Sequence, residues 1–587
     1  MKARIVKGHM VLEGISHISG FNDCYAYNKD ELIVNIRTNK TIKKVTLYAD
    51  DPYINGCSTS APWDGQPFEM QLKYELKHEY IYSVTVKPKY KRLQYYFRLT
   101  DVNNETMVYQ ESGIVTEEEF KKNLFKEYFK FAWMNEADIS VHPKWVENTY
   151  WYQIFPDRFS REEAPFEGNL SKWDDLSSFG HNVFYGGNLK GAMNRLEYLH
   201  DLGVNGIYFN PLFVSDSNHK YNIDDYLHID PNFGSNVDLK LLVEKAHSLG
   251  IRVMIDAVFN HSGLGFFAWK DVVENKRKSK YYDWFYINDD ENFTITHKST
   301  KDSRFYSFAF VDNMPKLNTN NPEVMEYFVN VCKKWIDMWN IDGIRFDVGN
   351  EISHAFIKKL HSELKAYRRD IFLLGEIWVN SSQYLQGDEY DSVMNYPYLE
   401  NLSNFYLDKS KSADDFKYAV NFCYSMYQKQ VNENIFNLFD SHDIGRMYTR
   451  VNNYDYFIQM LVILSTLPGS PCIYYGTEIA MEGENDPYCR YPMRWDIIED
   501  KSRDETFRQV HSLIRMRIDN HEFLGDDYRF VQTEGRFIVY ERNGIRIYLN
   551  AEENDRAVSF GKEPEVLFSY KFSDGILKAG GALVVRL

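Results

Sequence analysis

The chain has 587 residues and a mass of 69.5 kDa, more than a single compact core accommodates. Its 68 Lys and Arg against 84 Asp and Glu leave a net charge of −16, which repels a phosphate backbone or an anionic membrane surface and excludes both as natural partners. Apolar residues at 44% and charged residues at 26% are the balance of a soluble globular protein, and the 16% of aromatic residues provides flat rings of the kind a sugar binder uses.

Met1 to Gly20 has no apolar stretch behind a basic start, and no run of about 18 apolar residues follows anywhere. The six cysteines are scattered without a CxxC pair, which points to reduced thiols and no structural zinc. The expectation is a cytoplasmic protein.

Residues 1–116 read as an N-terminal β-sandwich. Leu93, Tyr95, Phe97 and Leu99 alternate with Gln94, Tyr96, Arg98 and Thr100, as Tyr82, Val84 and Val86 do with Ser83, Thr85 and Lys87, and Asn, Asp, Gly and Pro separate such runs. This module is a fold cap, a sugar-binding module or a dimer-forming one. Residues 117–147 form a linker that opens on a charged helical stretch, Glu117 to Phe131. From Trp151 the pattern becomes β then α, repeatedly. Apolar runs occur at Trp151–Phe159, Gly206–Phe213, Arg252–Asn260, Gly343–Val348, Phe372–Trp378, Val393–Pro397, Ile435–Asp440 and Cys472–Gly476. Helical stripes lie between them. Leu239, Leu242, Val243 and Ala246 precede Gly250, and Asn321-Pro322 opens a stripe from Met325 to Trp339. Eight strands alternating with helices predict an α/β fold, a closed (β/α)8 barrel over residues 148–520. Residues 262–321 are too long for a simple loop and read as a subdomain inserted after the third strand. Phe537–Arg542 and Ile545–Asn550 around Asn543-Gly544 are a hairpin, so 521–587 reads as a C-terminal β-sandwich.

Active sites of such barrels gather at the C-terminal ends of the strands. Polar residues there are Asp256 and Asn260-His261 (third strand), Arg345 and Asp347 (fourth), Glu376 (fifth), and His442 and Asp443 (seventh). Arg345 lies two residues before Asp347, hence on the same face, where it would keep that carboxylate ionised and aimed as a nucleophile. Glu376 follows Ile371-Phe372-Leu373-Leu374 and precedes Trp378, an apolar setting that suits a proton-holding acid/base. Glycoside cleavage needs that division between two carboxyl groups. Two other readings stay open: a catalytically silent sugar-binding or transport-accessory barrel, and a metal-dependent hydrolase using Asp256, His261, His442 and Asp443. Strand one, ending Pro156-Asp-Arg-Phe159, lacks the His-x-His with which metal-bound barrels usually begin.

Four segments resemble the signature regions of the α-amylase superfamily, in its order: Asp256-Ala-Val-Phe-Asn-His261, Gly343-Ile-Arg-Phe-Asp347, Gly375-Glu-Ile-Trp378 and Phe439-Asp-Ser-His-Asp443. The resemblance covers about 150–515. It implies Asp347 as nucleophile, Glu376 as general acid/base and Asp443 as the third carboxylate, which grips the distorted sugar. It implies substrate contacts for Arg345, His261, His442 and Tyr221, the last stacking under the reacting sugar, and a structural role for Asp256 and Asn260. Trp378, Glu351 and Arg446 are further candidates for substrate contact. Met314-Pro-Lys-Leu-Asn318, Val348-Gly-Asn-Glu-Ile-Ser-His354 and His142-Pro-Lys-Trp-Val146 are similar to neopullulanases, cyclomaltodextrinases and maltogenic amylases, although relatives usually have Ala where Gly349 stands. That group implies hydrolysis of α-1,4 and some α-1,6 bonds in cyclodextrins, pullulan and short maltodextrins, with sugar transfer as a competing outcome. It also implies a homodimer formed through the N-terminal domain. No cofactor is required by these residues. Calcium-binding relatives carry Asn-Gly-Asp and Gly-Gly-Asp stretches where this chain has Ser160-Arg-Glu-Glu163 and Gly186-Gly-Asn188, so Ca2+ would be held weakly.

Overall fold

A computed structural model describes residues 10–587 other than 58–62, 124–125, 163–169, 177–178, 181–182 and 290–298. The chain forms two units: Met1–Val141 with Leu385–Gly387 and Lys411–Asn432, and His142–Tyr384 with Asp388–Ser410 and Glu433–Leu587.

The first unit is a sandwich of two antiparallel sheets. One runs Cys24–Ala26, Leu32–Asn39, Glu79–Val86, Gln71–Glu75 across its width; the other runs Gln66–Glu69, Ile42–Asp50, Leu93–Asp101, Thr106–Gln110, Gly113–Thr116. Period-two alternation sends Val34, Ile36, Val45, Leu47, Tyr95, Phe97 and Leu99 into one core between the sheets. The helix expected over Glu117 to Phe131 stops early. Thr116 and Glu119 form a capping box for Glu117–Lys122, and the chain then returns as a strand, Phe129–Phe131, paired with Leu93–Tyr95. Burial of Phe129 beside His17, Tyr95 and Phe97 outweighs the helix preference of its charged neighbours. Of this stretch, 124–125 lie outside the described residues. Residues 411–432, assigned to the barrel by the sequence, pack with this unit instead: Lys417 pairs with Glu75 at 3.0 Å and the Asn421 amide donates to Glu75 O at 2.8 Å.

Asp23 sits within this unit, where burial pushes its carboxyl up to about 6 against the Ile18 N–H and the Arg37 charge. An acid raised on folding contributes full stability below its unfolded value and loses it as pH rises through its folded value. Asp23→Asn is therefore expected to stabilise this unit by about 1–3 kcal/mol at pH 7.5, and much less at pH 4, in thermal unfolding. An equal effect at the two pH values would reject this electrostatic cause.

The second unit holds eight parallel strands: Trp151–Ile154, Gly206–Phe209, Arg252–Ala257, Gly343–Phe346, Phe372–Gly375, Ser392–Val393, Phe436–Leu438 and Ser470–Tyr474. Each pairs with its sequence neighbour, except that the first joins the eighth and a single parallel bridge, Met394 to Phe436, closes the seam between the sixth and seventh. Trp151, Tyr208, Met254, Phe372, Leu374, Phe436 and Leu438 fill the interior. Several strands end sooner than the apolar runs do. Strand one stops at Ile154 because Pro156 starts a helical turn, Pro156–Phe159.

The helices follow their signals. Asn236–Ser248 starts from a Ser235–Asp238 capping box, buries Leu239, Leu242, Val243 and Ala246, and is followed by Gly250 at φ 75°. Pro322–Trp339 is capped by Asn321 and released at left-handed Asn340, with Met325 only half-buried. The described part of 262–321 contains the helix Phe267–Asn275, short helical turns and isolated bridges, one of which ties Lys316 to His261. At the C-terminus, Asn543 (φ 43°) and Gly544 (φ 89°) form the expected hairpin turn. The strands there make a six-stranded antiparallel sheet, and Gly580 at φ 76° lies within its long last strand, Ile576–Arg586. No helix among the described residues is long and apolar enough to cross a membrane.

Candidate active site

Strand register brings the two central carboxyl groups together. Arg345 pairs across with Asp256 on one side and Leu374 on the other, and Phe346 pairs with Gly375. Asp347 and Glu376 each follow the last strand residue, so they leave the barrel side by side. The wholly buried Arg345 is their common partner. Its Nη1 donates to Asp347 Oδ1 at 2.8 Å and to both Asp256 oxygens at 2.8 Å, and its Nη2 lies 2.9 Å from Glu376 Oε2. Glu376 Oε1 accepts from Trp378 Nε1 at 3.1 Å. Asp347, Glu376 and Asp443 all line one cavity of about 490 Å3, together with Tyr221, His261, Trp378 and His442.

A second network holds Tyr221 and Asp443. Gln153 Nε2 can only donate, and it lies 2.8 Å from His442 Nδ1, so His442 carries its hydrogen on Nε2. That Nε2–H is 2.6 Å from Tyr221 Oη and 3.2 Å from Asp443 Oδ2. Tyr221 Oη also accepts from Asn210 Nδ2 (2.8 Å) and donates to Asp256 Oδ2 (3.0 Å), and its ring stacks on His442 with centroids 5.4 Å apart. Arg490 pairs with Asp443 at 3.1 Å and donates to His442 O at 2.7 Å.

The remaining candidates divide. His261 lies under Phe308, ring to ring at 4.9 Å, and Asn260 meets both His261 Nδ1 and the Lys316 ammonium. Trp378 is 42% exposed and stacked face to face on Tyr396 at 3.9 Å, which presents its outer face as a platform. Glu351 stands at the rim in an ion pair with Lys316 at 2.8 Å, while its neighbour Asn350 lines the cavity. Arg446 requires a correction. It is wholly buried, its guanidinium donating to the carbonyls of Cys489 and Tyr475 and lying over the rings of Tyr474 and Tyr475, so it supports the wall rather than facing the cavity. Sequence reasoning misses Gln153, Arg490 and Phe308. Gln153 sits among the apolar residues of strand one, and the other two come from loops without periodic pattern.

The electrostatics differ from the expected division. Arg345 touches both Asp347 and Glu376, so it does not single out the nucleophile. Burial raises the Asp347 carboxyl well above the usual carboxylate range against the pull of Arg345, with Glu376, Asp256 and Asp443 adding to the rise. Asp256 is pushed up to about 6 by burial, and Asp443 is raised for the same reason. Four carboxyl groups share two guanidinium groups, Arg345 and Arg490, so the cluster favours retaining a proton. Burial, followed by the Lys316 charge, pushes His261 down to about 3. His442 is lowered by burial and by Arg490 and Arg345, and is a neutral donor.

Asn188 has its amide occupied: Oδ1 accepts from Gly191 N–H and Nδ2 donates to Glu162 O, both at 2.8 Å, and residue 163 lies outside the described residues. Among the described residues, one group has ligand-like spacing, His142, Glu147 and Glu433. None of these lines the cavity, and the Lys144 ammonium already lies 2.6 Å from Glu147.

Comparison with known proteins agrees with this architecture. Residues 153–520 match the α-amylase catalytic domain and residues 10–135 the α-amylase N-terminal Ig-like domain. The chain is 38% identical over 540 residues to the intracellular maltogenic amylase of Bacillus subtilis, covering 91% of this chain and 89% of that protein. It is 35% identical over 514 residues to neopullulanase 2 of Thermoactinomyces vulgaris, covering 86% and 84%. A solved cyclomaltodextrinase superposes with a TM-score of 0.87 at 32% identity, over 98% of this chain and all of the other. The chain belongs to the α-amylase family of glycoside hydrolases, in the group of the maltogenic amylases, cyclomaltodextrinases and neopullulanases.

Proposed function

We propose that the protein hydrolyses α-1,4 and some α-1,6 glucosidic bonds of cyclodextrins, pullulan and short maltodextrins by double displacement, with retention of configuration. The observation that carries this is one buried guanidinium that donates to Asp347 Oδ1 at 2.8 Å and lies in ion-pair contact with Glu376 Oε2 at 2.9 Å, at the mouth of the cavity. Such a clamp favours the separation of about 5–5.5 Å that a retaining pair needs. Asp347 attacks the anomeric carbon through Oδ2, since Oδ1 is taken by Arg345. Glu376 protonates the departing oxygen and then activates the water, or the sugar hydroxyl, that releases the glycosyl group. Asp443 and the neutral His442 grip hydroxyls of the bound sugar, Tyr221 stacks beneath it, and His261 and Trp378 hold the flanking rings.

Nothing in the site favours a catalytically silent binder, since all three carboxyl groups face the same cavity. Turnover needs no metal: the two cationic partners of the site are arginines, and Asn188 spends its amide on capping. The protein acts in the cytoplasm as a homodimer through its N-terminal sandwich. Its relative's intracellular designation supports the first, and exposed Tyr53 and Trp133, flanking Arg92 on that sandwich, support the second.

Incubation with β-cyclodextrin, pullulan and starch is expected to yield maltose from the first and panose from the second, with the cyclodextrin consumed faster than starch and rates unchanged after exhaustive chelation. Neither maltose nor panose from any substrate would reject the reading. Sedimentation of the active species tests the dimer separately.

A further inference from the structure

Val348 directly follows Asp347 and takes φ 47°, a left-handed conformation that a β-branched residue adopts only when its surroundings force it. The chain is pinned on both sides of it. Asp347 N–H donates to Ala257 O at 3.0 Å, Gly349 N–H to Glu376 O at 2.9 Å, and Glu351 N–H to Val348 O at 3.0 Å. Gly349 lies close against the fifth strand's end, where a Cβ would stand 3.2 Å from the Glu376 backbone. The turn delivers the Val348 N–H, which lies 2.9 Å from Glu376 Oε2.

That contact distinguishes the two oxygens of Glu376. Oε2 faces both the Val348 N–H and, at 2.9 Å, the Arg345 guanidinium. A proton on Oε2 would compete with the hydrogen bond from Val348 N–H and stand against the positive charge of Arg345. Oε1 meets a single donor, the indole of Trp378 at 3.1 Å, and retains a lone-pair direction for a proton.

We propose that the strained backbone at Val348 is a positioning device for the acid/base: its N–H anchors Glu376 Oε2 and thereby fixes Oε1 as the oxygen that carries and delivers the proton. The inference rests on the reading of Glu376 as acid/base. It explains why a conformation unfavourable to valine stands beside the nucleophile, where strain is kept when the site needs the group it aims.

The test replaces the Val348 amide by an ester, with α-hydroxyvaline in place of Val348, which deletes the N–H and keeps the side chain. The readout is kcat/KM on aryl α-maltosides of graded leaving-group pKa. Losing the anchor weakens protonation of the leaving oxygen, so kcat/KM should fall about tenfold on the poorest leaving group and little on the best, steepening the slope. An unchanged slope, or an equal loss on every substrate, overturns the proposal and leaves Val348 a purely structural residue. Val348→Gly tests the strain independently: relieved of it, the variant should unfold at a temperature no lower than the parent, and a midpoint several degrees lower contradicts the strain. Glu376→Gln separates the two readings. It should steepen the slope more than the ester does, and a parental slope in that variant removes the acid/base assignment itself.

Discussion

Asn in place of Asp347 is expected to lower kcat on β-cyclodextrin by roughly four to six orders of magnitude while the chain still folds. Without the carboxylate no covalent glycosyl intermediate forms, and an amide of the same shape still offers Oδ1 to Arg345, so binding geometry persists. Stability should move the other way. Asp347 lies buried among Asp256, Glu376 and Asp443, all of which oppose its charge. Removing one negative charge from four carboxyl groups that share two arginines relieves repulsion, and the variant should melt at or above the parental temperature at pH 7.5. The raised Asp347 carboxyl also places the acid limb of the parent's kcat/KM profile above the ~3.9 of an ordinary aspartate, since the nucleophile must be ionised to attack. Single-turnover rates, melting curves and a pH profile check these three statements. Retention of more than a few per cent of turnover by Asp347→Asn would remove the nucleophile assignment.

The barrel and its reacting groups are legible in the sequence because they rest on short-range regularities. Asp347 and Glu376 each stand one residue beyond an apolar strand, and the helix after Asn321-Pro322 carries its own cap, breaker and apolar stripe. What escapes depends on partners remote in the chain. Phe129–Phe131 is a strand because Tyr95 and Gln94 await it, although Lys126, Glu127 and Lys130 disguise the alternation. The helix Ala413–Ser425 shows which of its faces is apolar but not that Glu75 and its neighbours cover it. Arg446 reads as a ligand for substrate because an arginine is rarely buried, yet two carbonyls accept from its Nε and Nη1 and two tyrosine rings cover it, which holds it inside the wall. Arg490 comes from the loop beyond strand eight, where no periodic signal marks it. The electrostatic division fails for a related reason: spacing puts Arg345 beside Asp347, but only the register adds Asp256 and Glu376 to the same guanidinium.

That shared guanidinium makes Arg345→Met the substitution with the largest expected effect on stability. It leaves Asp256, Asp347 and Glu376 buried without their cation, and breaking a buried ion pair from one side costs about 3–5 kcal/mol. The deficit should depend on pH in a definite sense. Asp256, at about 6, and Asp347 already titrate above the aspartate range with Arg345 in place, and both rise further without it. Groups raised on folding stabilise fully below their unfolded value and lose that contribution as pH climbs through the folded one. Arg345→Met should therefore approach the parent near pH 4 and fall progressively behind between pH 5 and 7.5. Turnover should be lost at every pH, because neither carboxyl group remains aimed. Asp256→Asn on the Arg345→Met background provides the internal control: it deletes one uncompensated charge and should recover part of the stability at pH 7.5 and none of the turnover. Urea unfolding at pH 4 and pH 7.5 across the four proteins of this cycle measures the coupling. If Arg345→Met unfolded at the parental midpoint at pH 7.5, the Val348, Trp378, Tyr208 and Tyr221 donors would suffice to hold Asp256 and Glu376, and the clamp on which double displacement rests would lose its organising role.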